Sequence, residues 1–155
     1  MSDTKMIIKP YSHQYQDAVV ALWCKCKLTR PWNDAVTDIL TKLRVNPELF
    51  LLGFVNNKII ASAMGGYEGH RGWINYLAVD PDYQKKGIGK QIVEIIEQKL
   101  IALGCPKINV QIRTDNQEAI KFYRSIGYKP DKVISMGKRL IKDQQSLSCE
   151  KSLGC

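Results

Sequence analysis

Apolar positions recur along the chain at two spacings, and segments of the two kinds alternate. Apolar residues at every third or fourth position predict amphipathic helices, whereas continuous or alternating apolar runs of four to eight residues predict strands. Predicted strands cover 6–9, 49–55, 58–64, 73–79, 107–113 and 132–140. Predicted helices cover 15–28, 88–103, a segment with Val36, Ile39, Leu40 and Leu43, and a segment with Ala119, Ile120, Tyr123 and Ile126.

The order of these elements is β-α-α-β-β-β-α-β-α-β. This order predicts a single mixed α/β domain over residues 1–140, built on one sheet that mixes parallel and antiparallel strands. The composition turns polar from Ile141, so residues 141–155 are expected to form a flexible C-terminal tail.

Turn and cap residues mark the ends of several predicted elements. Asn56-Asn57 separates two strand-like runs and predicts a hairpin. The segment 65–72 is a glycine-rich turn, and Gly104 ends the long helix. Either Asp34 or Asn33 can cap the second helix, because both side chains accept hydrogen bonds from free N–H groups of a first turn.

Composition and charge restrict the class of protein. The 155 residues are 45% apolar and 25% charged, which is typical of one globular domain with its own core. No apolar run has the length of a membrane span, and the first residues lack the apolar region of a signal peptide, so a cytoplasmic location without membrane association is expected. With no Cys-x-x-Cys pair and only His13 and His70 as histidines, no metal site is predicted.

The net charge is +8, and it is concentrated near the C-terminal end. Between Lys121 and Lys142 seven basic residues face one acid, Asp131, which gives that stretch +6. Such a surface favours an anionic partner such as nucleic acid, a phosphorylated cofactor or an acidic substrate. A plain basic face of a soluble protein explains the charge equally well, and charge alone does not choose.

The segment Gln84-Lys-Lys-Gly-Ile-Gly89 lies between a predicted strand and a predicted helix. Glycines let the backbone N–H groups of a helix start converge, and the helix dipole adds positive potential, so this segment predicts a phosphate-binding loop. It is not a Walker A loop, because Gln91 follows Lys90 where that motif needs Ser or Thr. It is not a dinucleotide-binding fingerprint either, because Ile92 stands at the third glycine position.

The remaining pattern is Gln/Arg-x-x-Gly-x-Gly/Ala after a strand that ends in Val-Asp-Pro. It resembles the acyl-CoA pyrophosphate loop of the GNAT N-acetyltransferase superfamily. Asn116, which opens a helix, and Tyr123, seven residues later, match the same family, and so does the element order along residues 6–140. The segments 30–34, 65–72 and 104–108 are similar to the YpeA-like bacterial acetyltransferases.

The resemblance implies a GNAT fold whose central strands splay apart to admit the pantetheine arm of acetyl-CoA. The implied cofactor-binding residues are Leu77, Ala78, Val79, Gln84, Lys85, Lys86, Gly87, Ile88, Gly89, Lys90, Asn116 and Tyr123. Asn116 would hydrogen-bond the pantetheine arm, although it also suits the cap of its helix. Tyr123 would act as the general acid that protonates the leaving thiolate, although its spacing also suits a core tyrosine.

The residue that receives the amine proton is left open by the sequence. Deprotonating a lysine amine at pH 7 costs about 4–5 kcal/mol, whereas an α-amine near pKa 8 costs about 1 kcal/mol. A related branch, the ribosomal-protein N-terminal acetyltransferases, carries a Glu five residues before the Asn, but this chain has Gln111 there. Glu68 and His70 are the candidate catalytic bases, each of which also suits a solvated turn, and Tyr76 could assist through water.

The amine acceptor should be bound by residues of the segment between the first two helices and of the second hairpin. The candidate substrate-binding residues are Arg30, Trp32, Asn33, Tyr67 and Arg71. The arginines suit a carboxylate or phosphate on the acceptor, while Pro31 and Trp32 suit simple packing of the turn equally well.

The function implied by the resemblance is transfer of the acetyl group of acetyl-CoA to a primary amine of a small molecule or protein. The alternative is a non-catalytic, regulatory acyl-CoA-binding module. A nucleic-acid-binding function ranks last, because the sequence has no recognition helix rich in base-reading residues. GNAT proteins often form homodimers, so a homodimer is a further expectation.

Overall fold

The computed structural model of the protein describes residues 5–142. Contacts divide them into two units, one that runs to Asn109 and one over Val110–Lys142. The strands of the first unit are β1 (Ile7–Pro10), β2 (Phe50–Val55), β3 (Lys58–Tyr67), β4 (Gly72–Val79) and β5 (Ile108–Asn109). Its helices are α1 (Gln16–Lys25), α2 (Ala35–Lys42) and α3 (Ile88–Ala102), and the second unit contains α4 (Gln117–Ser125).

The five strands form one sheet in the order β1-β2-β3-β4-β5. The first four pair antiparallel with their neighbours, and β5 pairs parallel to β4 after the crossover through α3. The predicted hairpin at Asn56-Asn57 is confirmed, and both residues have positive φ, as a two-residue turn matched to the strand twist requires. The predicted mixed α/β fold class is therefore confirmed.

Helices cover both faces of the sheet. All six residues of β2 are buried, as expected for a central strand that is covered on both sides. On one face α1 and α2 pack on β2 and β3 through a cluster of buried residues that includes Val19, Leu22, Trp23, Ile39, Phe50, Leu52 and Met64. On the other face α3 lies so close to β3 that a Cβ on Gly65 would come within 2.9 Å of Ile96 Cγ2.

The helix caps follow the sequence prediction with small shifts. Asp34 is the cap of α2, and its carboxylate accepts hydrogen bonds from the N–H groups of Val36 and Thr37. A 3₁₀ turn at His13–Tyr15 replaces the start of the predicted first helix, which ends at Lys25 rather than 28. Gly65 and Gly66 belong to β3, so the predicted glycine-rich turn shrinks to residues 68–71.

Two predicted strands are wrong in extent or existence. The strand predicted over 107–113 forms a ladder only at Ile108–Asn109, and residues 132–140 adopt no regular secondary structure. Alternating side chains make a segment suitable for a sheet, but a strand also needs a partner edge to receive its hydrogen bonds. The apolar side chains of the second segment are accordingly exposed: Val133, Ile134, Met136 and Leu140. Of the predicted tail 141–155, all but Ile141 and Lys142 lies outside the described residues.

Candidate functional site

The chain leaves β4 through a turn that a buried carboxylate organises. Asp80 is only 2% exposed, and it accepts a hydrogen bond from the Asp82 N–H at 2.9 Å. Lys25 Nζ lies 3.0 Å from the Asp80 carboxylate and Lys58 Nζ lies 3.8 Å from it. Burial by itself would raise the pKa of Asp80, but the Asp82 N–H and the two lysines outweigh it and hold the pKa below its ordinary value.

The loop that follows the turn leads into the N-terminal end of α3. Lys85 and Gly87 both have positive φ, 62° and 77°, and Gly87 is the cap of the helix. The first helical hydrogen bond runs from the Gln91 N–H to the Gly87 carbonyl, so the N–H groups of residues 88–90 have no acceptor within the helix. Glycine fits the left-handed cap position without strain.

Three lysines and a glutamine surround this helix start. Lys86 Nζ lies 5.5 Å from the ring centre of Tyr83, and Lys90 forms a 3.9 Å pair with Glu94. The Gln84 amide donates to the Val79 carbonyl at 3.1 Å, which ties the loop back to the end of β4. The loop therefore combines free N–H groups with positive side chains, as an anion-binding segment requires.

The regular pairing of β3 and β4 is interrupted at Tyr76. Ser62 is opposite Ala78 and Met64 is opposite Asn75, so one residue of β3 faces two of β4, which is a β-bulge. Tyr76 has a φ of 51°, in the left-handed region that non-glycine residues rarely adopt. On the other side of β4, the described ladder with β5 consists of the pairs formed by Gly72 and Trp73 only.

A buried hydrogen-bond chain supports the bulge from the α1 face. The indole Nε1–H of Trp23 donates to Ser62 Oγ at 2.8 Å, and Ser62 Oγ lies 3.0 Å from the Tyr76 carbonyl oxygen. Since an indole N–H can only donate, the Ser62 hydroxyl accepts from Trp23 and donates to Tyr76. The rings of Trp23 and Tyr76 also stack, with centroids 3.9 Å apart and an interplanar angle of 16°.

The phenol of Tyr76 lies among polar side chains of the α2 region. It donates a hydrogen bond to Asp38 Oδ2, and Asn33 is a second hydrogen-bond partner. Burial first, and then the Asp38 carboxylate, raise the pKa of Tyr76, so the phenol stays protonated at neutral pH. Sequence analysis named Asn33 and Tyr76 but missed Asp38, because position 38 lies off the predicted apolar stripe of the second helix and its partner is on another element.

The two candidate bases lie at the end of the β3–β4 hairpin. The Glu68 carboxylate accepts hydrogen bonds from the N–H groups of Arg71 and His70 and from the Trp73 indole. The Arg71 N–H, the Trp73 indole and the His70 N–H lower the pKa of Glu68 despite some desolvation. Gly72 and Tyr76 are four residues apart on β4, so this turn lies about 13 Å along the strand from the bulge at ~3.3 Å per residue.

The candidate acceptor-binding residues fall into two groups within the first unit. Tyr67 and Arg71 belong to the hairpin end, where the Tyr67 hydroxyl donates to the Gly69 carbonyl and Arg71 Nη1 donates to the His70 carbonyl. Arg30, Trp32 and Asn33 belong to the connection between α1 and α2, where Arg30 Nη1 donates to the Lys27 carbonyl at 3.3 Å. Asn33 is a hydrogen-bond partner of Tyr76.

The second unit carries the two remaining candidates. Asn116 is the cap of α4, and its Oδ1 accepts from the Ala119 N–H at 3.1 Å, so its predicted capping role is confirmed. Tyr123 is buried, with its ring 5.2 Å from that of Tyr128 in an edge-to-face arrangement. Burial, and then Tyr128, raise the pKa of Tyr123, so its phenol carries its proton at neutral pH.

Grouped metal-ligand side chains and membrane-length apolar helices are both absent from residues 5–142. Within that range no three His, Cys, Asp or Glu side chains are grouped so that they could hold a metal ion. No helix there is both long and apolar enough to span a bilayer.

Comparison with known proteins identifies the family. The sequence profile described as "Acetyltransferase (GNAT) family" matches residues 9–128. The chain is 46% identical over 141 residues to an acetyltransferase of Sodalis glossinidius, covering 90% of this chain and 99% of that protein. It is 45% identical over 140 residues to an acetyltransferase of Pectobacterium atrosepticum, with the same coverage.

Solved structures with the same fold include an aminoglycoside acetyltransferase. The aminoglycoside acetyltransferase AAC(6')-Iy, bound to a bisubstrate analogue of CoA and acetylneamine, superposes with a TM-score of 0.71 at 16% identity, over 87% of this chain and 99% of that one. The NatC complex bound to a Gag peptide and CoA gives a TM-score of 0.71 at 25% identity, over 83% and 87%. The chain therefore belongs to the acetyltransferase (GNAT) family and is an acetyl-CoA-dependent N-acetyltransferase.

Proposed function

We propose that the protein transfers the acetyl group of acetyl-CoA to a primary amine by direct attack of the amine on the thioester. The observation that carries this proposal is the continuity of β4 with the anion-binding loop. Among residues 5–142 the described ladder of β4 with β5 ends at Trp73, and β4 contains the bulge at Tyr76 and leads through Asp80 into the start of α3. An extended, pyrophosphate-bearing cofactor fits such a strand and loop placed in series.

The loop 84–90 is the proposed pyrophosphate site. Its backbone N–H groups, the cap at Gly87 and the dipole of the 15-residue helix α3 all favour negative charge at one place. Lys85, Lys86 and Lys90 add positive charge around the loop. Pyrophosphate binding does not require that any one of these lysines contact a phosphate directly. This is the part of the proposal that CoA binding tests most directly.

The strand residues Leu77, Ala78 and Val79 are the proposed partners of the pantetheine arm. The carbonyl of Val79 already accepts from Gln84 and from the Cys26 thiol. The Asp80 N–H donates to Ile60 on β3, so strand alternation turns the backbone groups of Ala78 to β3 and leaves those of Leu77 for an extended arm. An extended arm beside this edge would pair with it as an added strand does. The thioester would then reach the bulge.

The reaction is balanced by two proton movements. The amine nitrogen forms a bond to the thioester carbon, the carbon–sulfur bond breaks, and its electron pair goes to the CoA sulfur. We assign Tyr123 as the donor of the proton that the sulfur gains, because its position seven residues after Asn116 matches the family pattern and its phenol carries a proton at neutral pH. Solvent returns a proton to the phenolate, so the products are an N-acetylated amine and CoA thiol.

The amine side of the site is proposed at Tyr76, Asp38 and Asn33. One oxygen of Asp38 accepts from the Tyr76 phenol, which leaves the other oxygen able to take a proton from the attacking nitrogen. The Glu68 carboxylate is instead occupied by three donors of its own turn, which makes it a poorer acceptor. Glu68 and His70 stay predictions, as do the acceptor roles of Arg30, Trp32, Tyr67 and Arg71, the cytoplasmic location and the homodimer.

Calorimetric titration with acetyl-CoA tests the proposed cofactor site. Wild type should bind, and the double substitution Gly87→Glu/Gly89→Glu should abolish binding, because two carboxylates at the helix start repel the pyrophosphate. Gly104→Glu is the matched control, since Gly104 also has positive φ (85°) and open space around its Cβ position but lies at the other end of α3.

The acceptor is then sought by thiol release with a panel of small amines, aminoglycosides and peptide N-termini. Equal loss of acetyl-CoA binding in Gly104→Glu would assign the loss in the double variant to backbone strain rather than to repulsion at the loop. Absence of acetyl-CoA binding by folded wild type would refute the proposed function.

A further inference from the structure

Helix α2 carries the proposed proton acceptor, Asp38, but it buries little of its own surface. It has eight residues, and Ile39 is the buried residue of this described helix. A helix of this length is marginal in water by itself, so its stability comes from tertiary contacts. The contacts between α2 and the sheet therefore decide where Asp38 lies.

Lys42, the last residue of α2, makes such a contact with β3. Its Nζ donates to the carbonyl of Gly65 on β3 and, at 2.9 Å, to the carbonyl of Val45 just after the helix. The Lys42 side chain is partly buried, and an ammonium taken out of water is stable only where it has acceptors. One ammonium group thus joins the end of α2 to the sheet.

This contact takes the place of a neighbouring strand. The described ladder between β2 and β3 ends at Met64, so β3 continues past its partner. Backbone groups two residues apart in a strand point to the same edge, and here Lys42 holds the Gly65 carbonyl while Asn46 Oδ1 accepts from the Tyr67 N–H at 3.3 Å. The end of α2 is therefore fixed on a regular edge of the sheet.

Asp38 and Lys42 are four residues apart on α2. At this spacing their side chains lie on the same face of the helix, about 6 Å apart along its axis. Lys42 contacts β3 at Gly65, and Asp38 contacts the neighbouring strand β4 at Tyr76. A short helix held on one strand can still turn about that contact, whereas a helix held on two strands cannot.

We propose that Lys42 is a positioning residue that holds Asp38 in place to take the proton of the acceptor amine. The inference rests on the proposed function, because it takes Asp38 as the proton acceptor. Misplacement of a reacting group by about 1 Å can lower a rate on the order of 10²-fold, so a contact remote from the reacting atoms can control turnover. Lys42 touches neither amine nor cofactor and acts through α2 only.

A double-mutant cycle separates this role from ordinary stabilisation of the fold. Lys42→Met keeps the aliphatic stem and removes the ammonium, and kcat/KM by thiol release with the best amine of the panel should fall at least about fivefold. In the Asp38→Asn background the same substitution should lower kcat/KM by less than about twofold, because no proton acceptor is left to position. Acetyl-CoA affinity by calorimetry should stay within about threefold throughout, because the loop 84–90 is unchanged.

Three further variants complete the design. Lys99→Met is the matched control for the lost charge, since Lys99 is exposed in the last turn of α3, and its kcat/KM should equal that of wild type. Lys42→Arg keeps donors for the Gly65 carbonyl, so its kcat/KM should lie between wild type and Lys42→Met. Asn46→Gly permits the positive φ of 49° and removes the acceptor of the Tyr67 N–H, so kcat/KM should fall in the same direction even where Lys42→Met does not fold.

The outcomes separate the two proposals. Equal factors for Lys42→Met in the two backgrounds, or an equal fall in Lys99→Met, overturn the positioning role and leave acetyl transfer standing. Asp38→Asn with wild-type kcat/KM removes the premise and overturns the inference, but it leaves the cofactor site untouched. Wild type that binds no acetyl-CoA refutes the proposed function and this inference with it.

A second readout needs no acceptor amine. In protein labelled with ¹³C-tyrosine, the ring resonance of Tyr76 reports on its contact with Asp38. This resonance should shift or broaden in Lys42→Met and stay in place in Lys99→Met. An unchanged Tyr76 resonance in folded Lys42→Met would overturn the positioning role.

Discussion

The buried carboxylate of Asp80 allows a stability prediction with a worked magnitude. Replacing it in Asp80→Asn keeps the shape and an oxygen for the Asp82 N–H but removes the charge that faces Lys25 and Lys58. The two lysine side chains are 45% and 56% exposed, so water screens them and each pair contributes only about 0.2–1 kcal/mol. Asp80→Asn should therefore destabilise the fold by about 0.4–2 kcal/mol.

Asp80→Ala removes the hydrogen bond to the Asp82 N–H as well. Loss of a capping oxygen costs about 0.5–2 kcal/mol, so this variant should be destabilised by about 1–4 kcal/mol in total. Asp82→Asn is the control, because the Asp82 side chain is 74% exposed and lies 3.4 Å from Lys25. It should change the free energy of unfolding by less than about 0.5 kcal/mol.

The effect of Asp80 should depend on pH with a definite sign. Its pKa is lowered in the folded state, so its stabilising contribution is present above the unfolded value of about 3.9 and is lost as the pH falls through the folded value. The difference between wild type and Asp80→Asn should thus be constant from about pH 5 to neutrality and shrink below about pH 4.

Urea unfolding followed by circular dichroism at several pH values measures all three variants. The reasoning is refuted if Asp80→Asn is as stable as wild type at neutral pH, or if Asp82→Asn is equally destabilised. A difference that grows on acidification would refute the assigned direction of the pKa shift.

Two predictions concern turnover. Tyr123→Phe should lower kcat about 10²–10⁴-fold while acetyl-CoA affinity stays nearly unchanged. In wild type, titration of Tyr123 should cause no loss of kcat below about pH 10. Turnover of Tyr123→Phe within threefold of wild type would remove Tyr123 from the mechanism. Asp38→Asn should lower kcat/KM at least about 10-fold, whereas Glu68→Gln should leave it near the wild-type value, and the reverse ranking would return the role of proton acceptor to Glu68.

The sequence predicts most of the first unit because its elements are specified locally. Three local signals each indicate an element and where it begins or ends: the apolar stripe of α3, the cap at Asp34 and the Asn56-Asn57 turn. The segments after Asn109 show the limit of the same method. The apolar residues within 132–140 favour a strand, but only the whole fold decides whether a partner strand is there.

The candidate site divides in the same way. The loop at 84–90 is contiguous, so its pattern is visible in the sequence, whereas the pairing of Tyr76 with Asp38 joins residues on different elements. Ser62 was missed for another reason, because a single serine in a strand is ordinarily taken as solvent-facing. Its neighbours Ala61 and Ala63 are buried as well, so both faces of β3 are covered here. A serine in such a strand cannot face solvent and needs a hydrogen-bond partner inside the protein.

The sheet topology also has a kinetic consequence. Strands β1 to β4 are antiparallel neighbours, and the β2–β3 pair is closed by a two-residue turn, so the contacts of this hairpin are short-range. The pairing of Gly72 with Ile108 must wait for the α3 crossover, because loop closure over a longer stretch loses more chain entropy before it gains contacts. We expect the anion-binding loop to be completed late in folding, which pulsed hydrogen exchange would detect as later protection of β5 and the start of α3 than of β2 and β3. A cofactor that binds this loop would then stabilise the last step of folding rather than the first.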